Sequence, residues 1–306
     1  MQHGDRMVEM PRQRYAGSTD RTARMMLATG TADVHDDVFM TFQNPLHLRR
    51  TFDTAAEDYD RGRPGYPPAI FDDLAELAGL ETGSRVLEIG CGTGLATVLL
   101  AERGYRVVAL ELGADLAAVA RRRLAAYANV EVVVTAFEDW SSSAPFDAVV
   151  SATAFHWIDP EVRVPKAARA LAPGGSLGII ETRRIPDAND RILAALERCH
   201  QRWGSDKPST FRAADADEPP ESLAEVQKSG LFDRVTWRGY DWTHEYSTEE
   251  FHDLLRTFSN VLVLDPDRRA GLLACIGEVV DRELGGRISE RIANQLLVAR
   301  RPSSAR

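Results

Sequence analysis

The chain has 306 residues, 44% of them hydrophobic, and a formal net charge of −9. That length suits one domain of roughly 200–250 residues with additions, and the apolar content is enough for a sizeable core. The acidic balance disfavours nucleic acid, whose phosphates need a basic stripe, and no apolar run reaches membrane-spanning length.

Residues 1–41 mix Arg, Asp, Thr and Gly without apolar periodicity and read as a disordered extension. A start codon placed too far upstream would give the same pattern; a helical lid or a dimer-exchange arm is the functional alternative. No signal peptide is evident, so a cytoplasmic protein is expected. Only three of the 37 basic residues are lysine, Lys166, Lys207 and Lys228, a bias that suits a GC-rich bacterial genome. Cys91, Cys199 and Cys275 are too few and too scattered for a disulfide framework or a zinc site, so no metal is expected.

The apolar run 85–89 reads as a buried parallel strand. It leads into Gly90-Cys91-Gly92-Thr93-Gly94 and then a helical pattern over 95–103. Strand, glycine turn and helix form a nucleotide-binding element, because glycine permits a sharp turn and a close approach by a ligand. No Lys-Ser/Thr follows, which excludes a P-loop, and the spacing is not the G-x-G-x-x-G of dinucleotide enzymes. Glu88 at the strand end suits a cationic ligand better than a pyrophosphate. A second strand over 105–112 ends at Glu111, seventeen positions after Gly94. A carboxylate there holds ribose hydroxyls in Rossmann-like folds, with Leu112 beside it as an apolar wall for a base. The alternative is an acid in the first turn of the next helix.

A third strand, 130–134, leads to Ala136, Phe137 and Glu138. A fourth, 146–151, leads to Phe155-His156-Trp157-Ile158-Asp159. A helix over 160–171 and the turn Ala172-Pro173-Gly174-Gly175 precede a fifth strand, 176–180. The segment 181–234 reads as an insertion with helices over 188–203 and 221–230, expected to cap the C-terminal edge of the sheet. Strand six is expected over 235–240, helices over 248–258 and 266–284, and a last strand over 292–299.

The pattern E-x-G-x-G-x-G at Glu88–Gly94, the acid at Glu111 and the turn before strand five resemble class I S-adenosylmethionine (SAM) methyltransferases. The segment Phe52 to Pro67, with Arg63-Pro64-Gly65-Tyr66-Pro67, and the run Phe155–Asp159 resemble a small-molecule subgroup similar to trans-aconitate methyltransferase. The resemblance covers residues 45–302. It implies a Rossmann-like, mostly parallel seven-stranded sheet of order 3-2-1-4-5-7-6, with the domain over 42–302 and helices on both faces. It implies SAM as cofactor, a small molecule as methyl acceptor at O, N or C, and direct SN2 displacement without a covalent intermediate.

The residues expected at the cofactor are Glu88, Gly90, Cys91, Gly92, Gly94, Glu111 and Leu112. Phe137 and Glu138 replace an adenine-reading Asp that many members carry where this chain has Ala136. Tyr59 and Arg63, one helical turn apart, would reach over the cofactor, Arg63 toward its carboxylate. His156 is the candidate catalytic residue, as a base, as a substrate contact, or as part of a packed helix start. Arg183, His200, Trp203, Trp237, Tyr240, Trp242 and His244 are candidates to line a substrate cavity. A protein or RNA methyltransferase and a non-catalytic SAM-binding accessory protein are the competing classes. The acceptor and the choice between monomer and homodimer stay open.

Overall fold

In a computed structural model of the chain, the residues described are 46–186, 188–204 and 217–303. The extension 1–41 lies outside them. Alternating apolar residues build a sheet with two buried faces. Val86, Val107, Val150 and Ile180 face one core, shared with Ile70, Phe71 and Leu74. Their neighbours Leu87, Leu110, Val149 and Ile179 face the other, shared with Val164 and Ala167. Successive strand side chains point to opposite faces, so each strand serves both layers.

The strands are β1 (Arg85–Ile89), β2 (Arg106–Glu111), β3 (Val130–Val134), β4 (Phe146–Ala152), β5 (Leu171–Pro186), β6 (Arg234–Ser247) and β7 (Arg287–Arg300). They form one sheet of order β3-β2-β1-β4-β5-β7-β6, parallel from β3 to β5 and antiparallel around β7. The expected order is observed. The last three strands are longer than their apolar runs suggested. β4 ends against Ile180, and beyond that point β5 pairs only with β7, as far as Pro186.

The helices are α1 (Ala56–Gly62), α2 (Pro68–Ala78), α3 (Leu95–Glu102), α4 (Ala114–Arg123), α5 (Pro160–Ala170), α6 (Asp190–Trp203), α7 (Ser222–Lys228), α8 (Thr248–Arg256), α9 (Ser259–Leu262) and α10 (Pro266–Leu284). Local chemistry sets several of their ends. Asp159 and Asp265 cap α5 and α10 ahead of a first-turn proline, and Ser247 and Glu250 form a capping box on α8. A 3-10 segment, Leu46–Ala55, precedes α1.

Helices α6, α8 and α10 share a third core with Tyr246 and Ile288 of the extended strands. Within it Cys199 and Cys275 form a disulfide, Cα atoms 5.7 Å apart. This corrects the reading of the cysteines as too few and too scattered for a disulfide framework. They are 76 residues apart in sequence, and only the packing of α6 on α10 joins them.

Candidate active site

A cavity of about 350 Å³ opens where β1, β2 and β4 end, within the usual range for small-molecule sites. Its floor is the turn after β1. Gly90 and Gly92 take positive φ, +71° and +57°. A Cβ at Gly90 would stand 2.5 Å from that of Ala154, so the turn after β4 closes against this glycine. At Gly92 the nearest atom to a Cβ would be Tyr59 Cε1, at 3.6 Å.

Glu111 ends β2 at the cavity edge. Its Oε2 accepts the Gly92 amide at 2.8 Å and its Oε1 the Gly113 amide at 2.9 Å. Burial raises its pKa, opposed by those backbone amides. Leu112, Leu116 and Phe137 add apolar wall. Glu138 stands across from them. Its Oε1 takes a bond from Arg49 at 2.5 Å, while its Oε2 is buried without a partner among the described residues.

After β4 the chain turns through Thr153, a non-glycine residue at φ +56°. Such strain persists only where neighbours enforce it. Here the Thr153 amide donates to Ile180 O at 2.7 Å, and its hydroxyl bonds Tyr66 and Thr182, each at 2.9 Å. His156 follows in a single 3-10 turn and lines the cavity, its ring 5.2 Å from that of Trp157. The ring is exposed to the cavity, and the walls around it, then the charges of Arg163 and Arg63, lower its pKa from the ordinary 6.5. It is a neutral imidazole at pH 7.

The roof comes from two distant segments. Arg49 and Phe52 precede α1, and Phe52 meets Trp157 edge to face at 5.0 Å. Asp53 Oδ1 accepts the amides of Asp115 and Leu116, which ties this segment to the start of α4. Tyr59 and Arg63 continue the roof, and Phe258, Ser259 and Asn260 close it from the other side. Arg63 donates to Thr257 Oγ1 and O, at 2.7 and 3.0 Å, and lies 4.9 Å from the Phe258 ring centre.

Residues 86–175 match the family model described as a methyltransferase domain. An uncharacterized methyltransferase of Mycobacterium tuberculosis is 41% identical over 130 residues, 42% of this chain and 51% of its own. A trans-aconitate 2-methyltransferase of Azoarcus sp. is 31% identical over 124 residues, 40% of this chain and 48% of its own. The chain thus spans about half the length of these curated relatives. The solved structure of a candidate type II methyltransferase from Anaeromyxobacter dehalogenans shares the fold, with TM-score 0.54 and 23% identity over 80% of this chain and 99% of that one.

The sheet and the roof segments bring Tyr59, Arg63, Gly90, Gly92, Glu111 and Leu112 to one cavity, with Phe137, Glu138 and His156. Glu88, Cys91 and Gly94 do not reach its wall. Glu88 shares the face of Val86 and points beneath the turn, 1% exposed. Burial pushes its pKa up to about 7, partly offset by the nearby Thr97 hydroxyl. Cys91 is buried, and Gly94 starts α3 against Leu124.

The substrate-cavity candidates disperse. Arg183 turns outward to Glu218 and Glu221. Tyr240 bonds Asp73 on the α2 side, Trp203 packs on Gly271, and Trp237 lies against the second core. His200 and His244 are also away from the cavity wall, and only Trp242 comes near, in a side alcove. No described residue of 187–233 lines the cavity. Among the described residues the cavity is covered by the segments at Arg49–Arg63 and Phe258–Asn260; Tyr59 and Arg63 stand over it as expected, while Arg49, Phe52 and Phe258–Asn260 were missed by sequence reading. The one advance signal for the first was the aromatic and basic entry segment itself.

Proposed function

We propose that this chain is an SAM-dependent methyltransferase acting on a small-molecule acceptor. The observation that carries the reading is the Glu111 carboxylate, held by two backbone amides at the edge of a roofed cavity whose floor is the Gly90–Gly92 turn.

The residues fit SAM. The second oxygen lone pairs of Glu111 can take the ribose hydroxyls. The unpartnered Glu138 Oε2 is an acceptor for an exocyclic amine, which offsets the missing Asp at Ala136. At Gly92 a Cβ would stand in the cavity wall, 3.6 Å from Tyr59, and glycine leaves that place to the ligand. Bound there, SAM supplies an electrophilic methyl on a sulfonium, open to in-line attack by the acceptor. The protein's own share is alignment, exclusion of water by the roof, and disposal of any proton the acceptor sheds. His156, a neutral imidazole exposed to the cavity, is placed to contact the acceptor or to take its proton.

A small acceptor is favoured by the two roof segments, since a protein or RNA chain needs an open groove. The relatives do not decide it. Protein-L-isoaspartate O-methyltransferases match a comparable length of the chain. The test is titration calorimetry with S-adenosylhomocysteine (SAH), followed by transfer from labelled SAM into a metabolite extract and mass identification of the product. A chain that binds neither SAM nor SAH would end this reading. Binding without transfer would favour an accessory protein.

A further inference from the structure

Beside the main cavity lies a second space of about 20 Å³ that shares the walls Tyr59, Arg63 and Thr153. It has room for a water molecule or one small polar head. Polar groups around it form a connected chain. The Thr153 and Thr182 hydroxyls are 2.9 Å apart, Asn294 Nδ2 donates to Thr182 at 2.8 Å, and Trp242 Nε1 donates to Asn294 Oδ1 at 2.8 Å.

Charge is what sets the alcove apart. Arg184, its side chain 13% exposed, donates through Nη1 to Tyr246 at 3.0 Å and to Glu290 at 3.3 Å. Its Nε and Nη2 make no hydrogen bond to described residues. Arg63 bonds only neutral oxygens, both of Thr257. Two guanidiniums therefore face one carboxylate, Glu290, in a chain of net charge −9. A cation taken out of water without a counter-charge is costly, and guanidinium forks match carboxylates.

We propose that Arg184, with Arg63, Thr182 and Asn294, forms a carboxylate subsite for the methyl acceptor, which is therefore a small organic acid. The inference rests on the methyltransferase reading. The alcove adjoins the cavity on the side of Thr153 and Arg63, so an acid anchored there extends toward His156. The amino-acid carboxylate of SAM carries the same chemistry, and the test separates the two sources.

Full-length protein is first titrated with SAH. Failure to bind would remove the methyltransferase reading itself. SAH-saturated protein is then titrated with succinate, citrate and benzoate, and with succinamide and benzamide. At least one acid should bind and its uncharged amide should not. R184M/E290Q removes the ion pair without stranding a buried charge. It should weaken the acid by about tenfold or more, the scale of a lost charge-assisted hydrogen bond, and leave SAH unchanged. T182V, which keeps both charges, should weaken the acid as well. The proposal is overturned if no acid binds at about 10 mM, where even millimolar affinity is visible. It also fails if acid and amide bind alike, or if R184M/E290Q binds the acid as wild type does. If R184M/E290Q weakens SAH but not 5′-methylthioadenosine, which lacks the carboxylate, the subsite serves the cofactor and the acceptor assignment is wrong.

Discussion

Glu111 and Gly92 are joined directly, the carboxylate of one accepting the amide of the other at 2.8 Å. The acid at the tip of β2 thus also clamps the turn after β1. Removing it should do two things at once.

Glu111→Ala should weaken SAH by about 1.5–3 kcal/mol, the worth of hydrogen bonds to a charged group. It should also lower the melting temperature, because the Gly92 and Gly113 amides lose their acceptor. Calorimetry and thermal melting on the same sample read both effects. An unchanged dissociation constant would remove Glu111 from the site.

Gly90 and Gly92 should separate. Gly90→Ala meets Ala154 at 2.5 Å and should destabilise the fold. At Gly92 a Cβ only touches Tyr59, at 3.6 Å, so the stability cost of Gly92→Val should be mainly that of positive φ, roughly 1–2 kcal/mol. Its SAH binding should be lost, because the new side chain enters the ligand's path. Comparing melting temperature with affinity for each variant tests this, and normal SAH binding by Gly92→Val would contradict the cradle.

His156 should leave the rate flat near neutrality. With the imidazole pKa lowered from the ordinary 6.5, it is neutral at pH 7, so no fall near its ordinary pKa is expected. His156→Gln should raise the acceptor's Michaelis constant and spare SAH binding if the ring contacts substrate. A turnover number down about 10²–10⁴-fold at an unchanged Michaelis constant would instead mark a general base.

Glu88 makes apo stability depend on pH. Its pKa is raised from the ordinary 4.5 to about 7, so the folded chain binds this proton more tightly than the unfolded one. The stabilisation is fully present below pH 4.5 and is lost as pH rises through 7. The swing is at most about 3 kcal/mol, from the size of the shift. Glu88→Gln should flatten the melting temperature between pH 5 and 8. A variant that melts with the wild-type pH profile would mean that Glu88 does not titrate in this range.

The Cys199–Cys275 link spans a long loop, and losing it should cost about 2–4 kcal/mol. C199S/C275S should match reduced wild type in denaturant melts, with SAH binding intact because neither helix lines the cavity. An unaltered midpoint would show that the bridge does not hold α6 to α10 in solution.

Much of the binding half was legible because it is local. The strand, the glycine turn and the helix at 85–102 are neighbours in sequence, and Glu111 follows one βα unit later. Turn chemistry and strand alternation act over a few residues, so a linear reading reaches them. The arginine pair shows where that reading stops. Alternation says that Arg183 and Arg184 face opposite ways, but not which faces inward. That choice belongs to β7, which alone pairs with β5 at that point. It turns Arg184 to Glu290 and Arg183 out to Glu218.

By itself, the sequence determined the strands, the glycine turn and the acid that ends β2, since these follow from hydrophobic period and backbone freedom, while the sheet order was implied by the resemblance to class I methyltransferases. Only the tertiary structure decided the roof beyond Tyr59 and Arg63, the alcove and the disulfide. Arg49, Arg63 and Phe258 meet over the cavity, and Cys199 meets Cys275, through packing of segments far apart in the chain. Such contacts arise when separate apolar faces find one another, and no local pattern records which faces those are.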